Sequence, residues 1–295
     1  MIWVIVVPIL GVARIYGKDM NAFLQKLQKN SVEAYEIGFA YGVPDYLPEE
    51  TVKLAEALKI RLSGHMPFFI SWLNEEKSQN SVKHFLKGIN FAARLHTIAV
   101  CHLGYYGGKN YEELKPAIVR GINQAISMAE QNYEVVGPVI GIETTGKKYE
   151  IGSLDEVLSI VSELSANVAV PVIDWAHIFA RSNGEFPRRI DDFRKVLSRL
   201  EVEAGLKRFY FHASGIDYKD GNEKKHLTVK TCKPPLPYLL AVLNEAGYDY
   251  TLIVESPEAI EDLVWLREVS KNPKSWFSFV QKQTDSLNHQ TQLVF

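Results

Sequence analysis

A short apolar, β-branched run followed by a helix-forming stretch recurs along this chain roughly every 30–45 residues, which is the pattern of parallel βα units. The runs are Trp3–Val7, extending toward Val12, then Val32–Ile37, Ile60–His65, Thr97–His102, Val139–Glu143, Val168–Asp174, Arg208–His212 and Thr251–Glu255. Helices are predicted between them, near 18–29, 49–58, 78–95, 111–131, 153–165, 189–204, 235–246 and 257–270. After the last run Ser256 is positioned as an N-cap, with Pro257 at the first helical position. Eight strands alternating with eight helices predict an α/β chain forming a (β/α)8 barrel, a fold that uses about 250 residues as one domain. Residues 1–275 are assigned to that barrel, and 276–295 to a short aromatic helix, Trp276–Gln281, and a polar tail. A doubly wound open sheet would carry a glycine-rich phosphate turn after its first strand, and this sequence has none.

Composition excludes several classes. A net charge of −2 does not fit a protein that coats nucleic acid by bulk charge. Two cysteines, Cys101 and Cys232, form no disulfide framework, so a reducing, cytoplasmic setting is expected. The apolar stretch Met1–Val12 lacks the basic start and cleavage site of a signal peptide and is too short to span a bilayer, so no membrane association is expected.

Six successive candidate strands end in a residue able to bind a metal: His65, His102, Glu143, Asp174, His212 and Glu255. In a barrel these ends meet around one mouth, where active sites of this architecture sit. His177 shares a loop with Asp174 in D-W-A-H, and His226 lies in the long loop after His212. One histidine ending an apolar strand is ordinarily a packed core residue. Six such groups in register are not, because clustered like charges are costly unless cations neutralise them. Mixed imidazole and carboxylate ligands suit Zn²⁺, Mn²⁺ or Fe²⁺ better than Ca²⁺ or Mg²⁺. The ligands are too many for one ion and fit two ions bridged by a carboxylate. His84, His96 and His289 fall on helices or in the tail and are assigned no function.

The rim loops carry Lys109, Lys147, Lys148, Arg181, Arg188, Arg189, Lys219, Lys224 and Lys225, partly balanced by Glu150, Glu185, Asp217, Asp220 and Glu223. Phe68, Phe69 and Trp72 follow His65, and Tyr105 and Tyr106 follow His102. Exposed aromatics beside a metal site can stack on bases or wedge between them, or line a pocket.

The stretches H-M-P-F-F-I-S-W from His65, C-H-L-G-Y-Y-G-G from Cys101, I-E-T-T-G-K from Ile142, D-W-A-H-I-F-A from Asp174, F-H-A-S-G from Phe211, K-H-L from Lys225 and V-E-S-P from Val254 occur in one order. In that order the chain resembles the endonuclease IV family of apurinic/apyrimidinic endonucleases, within the xylose-isomerase-like TIM barrels, from about residue 30 to 258. The resemblance implies a first zinc site of His65, His102 and Glu143. It implies a second of Glu143, Asp174, His212 and Glu255, with Glu143 bridging, and His177 and His226 as two ligands of a third. It implies Phe68 and Phe69 near the minor groove at the lesion.

The chain departs from the pattern at two points. Lys224 stands where the third site would have an acidic ligand two residues before its last histidine, with Glu223 one residue further back. Ser214–Gly215 replaces an N-D pair after the strand-seven histidine. Two tightly held ions are therefore expected, with the Lys224 ammonium repelling a third or itself contacting phosphate.

The function implied is cleavage of damaged double-stranded DNA 5′ to an abasic site, with Glu143 central to catalysis and Phe68, Phe69 and Lys224 binding substrate. A sugar isomerase or epimerase of the same superfamily would need only Glu143, Asp174, His212 and Glu255, with its two glutamates moving protons. A DNA-damage binder without catalysis would need no reactive metal pair. Gln290, Leu293 and Phe295 loosely resemble peptides that dock on sliding clamps, a partner expectation for the tail.

Overall fold

The computed structural model describes residues 8–15, 19–164 and 168–292. Eight parallel strands close into a barrel: β1 (Ile9–Ile15), β2 (Ala34–Gly38), β3 (Arg61–His65), β4 (Ala99–Cys101), β5 (Ile140–Glu143), β6 (Ala169–Asp174), β7 (Arg208–Ala213) and β10 (Asp249–Val254). Each strand pairs with its neighbour in the chain's order, and β10 closes on β1 with Ile9 opposite Thr251 and Val12 opposite Val254. The first strand is thus Ile9–Ile15, whose start falls in the predicted extension toward Val12, and Trp3–Val7 lies outside the described residues.

Helices α1 (Met20–Lys29), α2 (Glu49–Ala57), α3 (Glu75–Leu95), α4 (Tyr111–Glu130), α5 (Leu154–Glu163), α7 (Ile190–Glu203), α8 (Leu236–Ala246) and α9 (Ala259–Lys271) follow the strands. Their starts have local causes. Asn74 and Asn110 cap α3 and α4 through side-chain oxygens that accept from Lys77 and Glu113 amides. Ser153 and Glu156 form a reciprocal capping box on α5. Outward strand residues such as Tyr35, Ile37, Phe209 and Phe211 are buried under this helical layer, which makes one continuous core.

Ser256 does not cap the last barrel helix. That helix begins at Ala259 after Glu258, and the Ser256 hydroxyl is buried without a partner. Two features at the mouth were not expected: a seven-residue helix α6 (Trp175–Arg181), and an antiparallel hairpin of β8 (Gly215–Lys219) and β9 (Asn222–Leu227). The terminal helix α10 runs Phe277–Gln292, longer than the aromatic segment that the sequence marked. No described helix is long and apolar enough to cross a membrane.

Candidate metal centre

Parallel pairing puts the ends of β3 to β7 and β10 on one rim, and strand alternation turns every second side chain inward. His65, Glu143, Asp174 and His212 consequently lie buried at the mouth, with His102 and Glu255 half-buried beside them.

Glu143 is the centre of the arrangement. Its Oε2 lies 2.9 Å from His65 Nε2 and 3.0 Å from His102 Nε2. Its Oε1 lies 3.1 Å from His212 Nδ1, which is in turn 3.6 Å from Glu255 Oε1. The two oxygens of one carboxylate therefore face two donor sets, His65–His102–Glu143 and Glu143–Asp174–His212–Glu255, each with ligand atoms within 4.8 Å of one another. Asp174 contributes by a division of labour. Its Oδ1 accepts from the His177 amide and so caps α6, which leaves a buried Oδ2 with no hydrogen-bond partner, aimed at the cluster.

A third set gathers at the hairpin. Asp174, His177 and His226 again lie within 4.8 Å. His177 Nε2 and His226 Nε2 are 3.3 Å apart, and Glu223 places its oxygens 3.4 Å and 3.6 Å from them. Metal–ligand bonds of about 2.0–2.1 Å put the donors of a tetrahedral ion about 3.3 Å apart, close to these separations.

Glu223, not residue 224, faces the site for a reason visible in the hairpin. Asp217 pairs with Lys225, but Tyr218 pairs with Glu223, so Lys224 is the extra residue of a β-bulge. A bulge shifts side-chain phase by one, which brings Glu223 onto the face of His226 and turns Lys224 to solvent. The expectation that an ammonium occupies the third site is corrected accordingly. The Glu223 amide donates to the Gly146 carbonyl, and a β-carbon at Gly146 would lie 2.7 Å from a Glu223 oxygen and 2.9 Å from His177 Cδ2. Glycine at 146 is what lets the hairpin lean over the mouth. The other departure, Gly215, has a similar steric cause: a β-carbon there would meet the Thr228 carbonyl at 2.2 Å.

The hairpin had a signal in the sequence that the strand-and-helix reading passed over. Asp220 and Gly221 have φ of 56° and 75°, the two positive values of a two-residue turn that D-G favours. Sequence reasoning also missed Glu36, an acid inside the apolar strand A-Y-E-I-G, whose fully buried carboxylate reaches His212 Nε2 and the Tyr210 hydroxyl.

The charges at the mouth are balanced by imidazoles. Glu36, Glu143, Asp174, Glu223 and Glu255 converge here, and among the described residues every ion pair they make is with a histidine. Burial by itself lowers the His65 pKa, but the hydrogen bond and charge of Glu143, with Glu36 and Glu255 behind it, raise it to about 9. His177 and His212 are likewise raised against burial, chiefly by Asp174 and Glu255 respectively. Burial pushes Glu143 up, and the surrounding imidazoles, His212 and His102 foremost, bring it well below the usual carboxylate range. Burial and the neighbouring Glu143 and Asp174 charges raise Glu255. Donor atoms of this kind packed together suit divalent ions, and the orphaned Asp174 Oδ2 supplies a free ligand atom.

A family model described as xylose isomerase-like TIM barrel matches residues 23–270. The chain belongs to that family. An uncharacterized protein of Methanocaldococcus jannaschii is 32% identical over 261 residues, which span 85% of this chain and 92% of its own. Among solved structures, endonuclease IV from Thermus thermophilus superposes with a TM-score of 0.67 at 21% identity, over 91% of this chain and 99% of its own. A D-tagatose 3-epimerase-like protein superposes with a TM-score of 0.62 at 18% identity, over 93% and 99%. The xylose isomerase-like TIM barrel thus carries more than one chemistry, and the site must decide among them.

Around the mouth of this xylose isomerase-like barrel, Phe68 and Phe69 are exposed, at 57% and 63%, and the Phe68 ring lies 5.5 Å from His65 and 5.2 Å from His102. Trp72, expected beside them, is instead buried against Phe85 with its indole N–H on the Leu103 carbonyl. Tyr105 stacks on Tyr149, both exposed, while Tyr106 turns inward to Glu156 and Arg181. Arg181 is not a free rim charge: it holds the Lys147 and Glu150 carbonyls and the Thr145 hydroxyl. A cavity of about 1700 Å³ opens at the opposite end of the barrel, lined by Ser63, Tyr210 and Thr251. Cys101 is buried, and burial with the Glu143 charge raises its thiol well above the usual range, as befits an inert core residue.

Proposed function

We propose that this protein hydrolyses the phosphodiester bond 5′ to an abasic site in duplex DNA, with zinc, manganese or iron ions held by the three donor sets. The observation that carries this reading is the sharing of Glu143: one oxygen faces His65 and His102, the other faces His212. A single-ion sugar isomerase would need only Glu143, Asp174, His212 and Glu255. It would leave His65, His102 and the His177–His226–Glu223 set without a task.

Such ions, when bound, lower the pKa of a water and offset charge on the phosphate. The chain's own residues do the rest. Glu143 holds two donor sets in fixed relation. Phe68 stands over the histidine pair and Phe69, next to it in the chain, is exposed, where aromatic wedges can occupy the gap left by a missing base. Lys148 and Lys224, both exposed beside the mouth, contact phosphates. Hydrolysis leaves a 3′-hydroxyl on one fragment and a 5′-deoxyribose phosphate on the other.

The test is incubation of zinc- or manganese-loaded protein with a duplex carrying one tetrahydrofuran abasic analogue, beside a panel of ketoses. Cleavage 5′ to the analogue is expected. Glu143→Gln should lower it by at least about 100-fold, the scale of losing a group that acts in the transition state, with circular dichroism unchanged. Ketose epimerisation without DNA cleavage would overturn the reading.

A further inference from the structure

Three of the five histidines share one wiring. His65, His177 and His226 each place Nδ1 against a backbone carbonyl, of Met66, Thr144 and Glu255, at 2.9, 2.8 and 3.2 Å. A carbonyl only accepts, so Nδ1 carries a proton and Nε2 is the atom left to face the donor set. His212 is wired the other way round. Its Nδ1 faces Glu143 and Glu255, and its Nε2 lies 3.1 Å from both oxygens of Glu36.

Glu36 sits one layer deeper in the barrel, on β2, with no solvent exposure. The Tyr210 hydroxyl donates to it at 2.7 Å, and Ser63, its register partner on β3, contacts that hydroxyl at 2.8 Å. Among the described residues, its ion pairing is with His212 alone. A carboxylate in such a place is costly unless the imidazole it touches carries positive character.

The geometry points to Glu36 as the positioning residue of the second donor set: it fixes the proton of His212 on Nε2, presents the Nδ1 lone pair to the ion, and raises the basicity of that ligand. This inference rests on the metal reading above. The arrangement is a carboxylate–histidine–metal relay of orientation, with Tyr210 and Ser63 holding the carboxylate in turn. Glutamine at 36 would keep an acceptor oxygen and the shape of the side chain while removing the charge.

The experiment strips wild type, Glu36→Gln and Tyr210→Phe with chelator and titrates each with Zn²⁺ against a fluorescent competitor. In parallel, ¹⁵N-histidine spectra of the zinc-loaded proteins read the tautomer of each ring. Glu36→Gln should bind one ion about 10- to 100-fold more weakly, the usual cost of losing such a partner, with the other affinities unchanged. Tyr210→Phe should weaken the same ion less, and it keeps the test open should Glu36→Gln fail to fold. In wild type, His212 alone should show a protonated Nε2 and a ligated Nδ1. A purely structural Glu36 would alter melting of the ion-free protein but not the affinity of one ion. Wild-type affinities in both variants, or a His212 proton on Nδ1, overturn the assignment. Should wild type itself retain no zinc, the metal reading falls first, and the two failures are told apart by that arm alone.

Discussion

At the scale of single residues, His65 is both a prospective ligand and a base held protonated by its neighbours. Its folded pKa of about 9 exceeds the ordinary 6.5. The stabilisation is therefore fully present below pH 6.5 and is lost as pH rises through about 9. The shift corresponds to about 3 kcal/mol for a fully buried group. Urea melts of ion-free protein should show wild type losing an advantage of that order over His65→Gln between pH 6 and pH 10. Divalent ions compete with the same proton, so zinc affinity at this set should climb with pH until about 9. A melt difference that does not change with pH would mean that His65 is neutral beside Glu143.

At the scale of elements, the β8–β9 hairpin decides how complete the third donor set is. Dialysed, zinc-loaded protein should retain a third ion, and Glu223→Gln should lose it while keeping two. Lys224→Asp should change little, because the bulge turns position 224 to solvent. Elemental analysis of the three proteins checks this, and a gain of occupancy in Lys224→Asp would show that the bulge is not kept. The hairpin also marks how far the sequence could be read. Strand ends were legible because parallel strands buried on both faces make continuous apolar runs, and a ligand ending each run stands out. Glu223 was not, since counting residues back from His226 assumes a regular strand, and one bulge moves the answer by one position. Glu36 was hidden differently: a single acid amid A-Y-E-I-G carries no pattern until the barrel sets Tyr210 and His212 beside it. Ser256 failed as a cap because Pro257 and Glu258 continue as a turn before α9 begins.

At the scale of the whole molecule, the barrel closes by pairing β1 with β10, its first and last strands. Closure therefore brings together segments far apart in sequence, and contacts of that kind form late. The donor sets inherit this timetable unequally. His65, His102 and Glu143 come from three consecutive neighbours, β3 to β5, whereas the set completed by Glu255 waits for the strand that seals the ring. Refolding in cobalt should thus show colour in two stages. The later stage, read as the difference between wild type and Glu255→Gln, should share the rate of the slowest fluorescence phase. A single stage at the faster rate would mean that the ring seals before its last ligands are recruited. The order of arrival of the ions would then be a clock for assembly, with the second donor set recording the moment at which the first and last strands of the barrel meet.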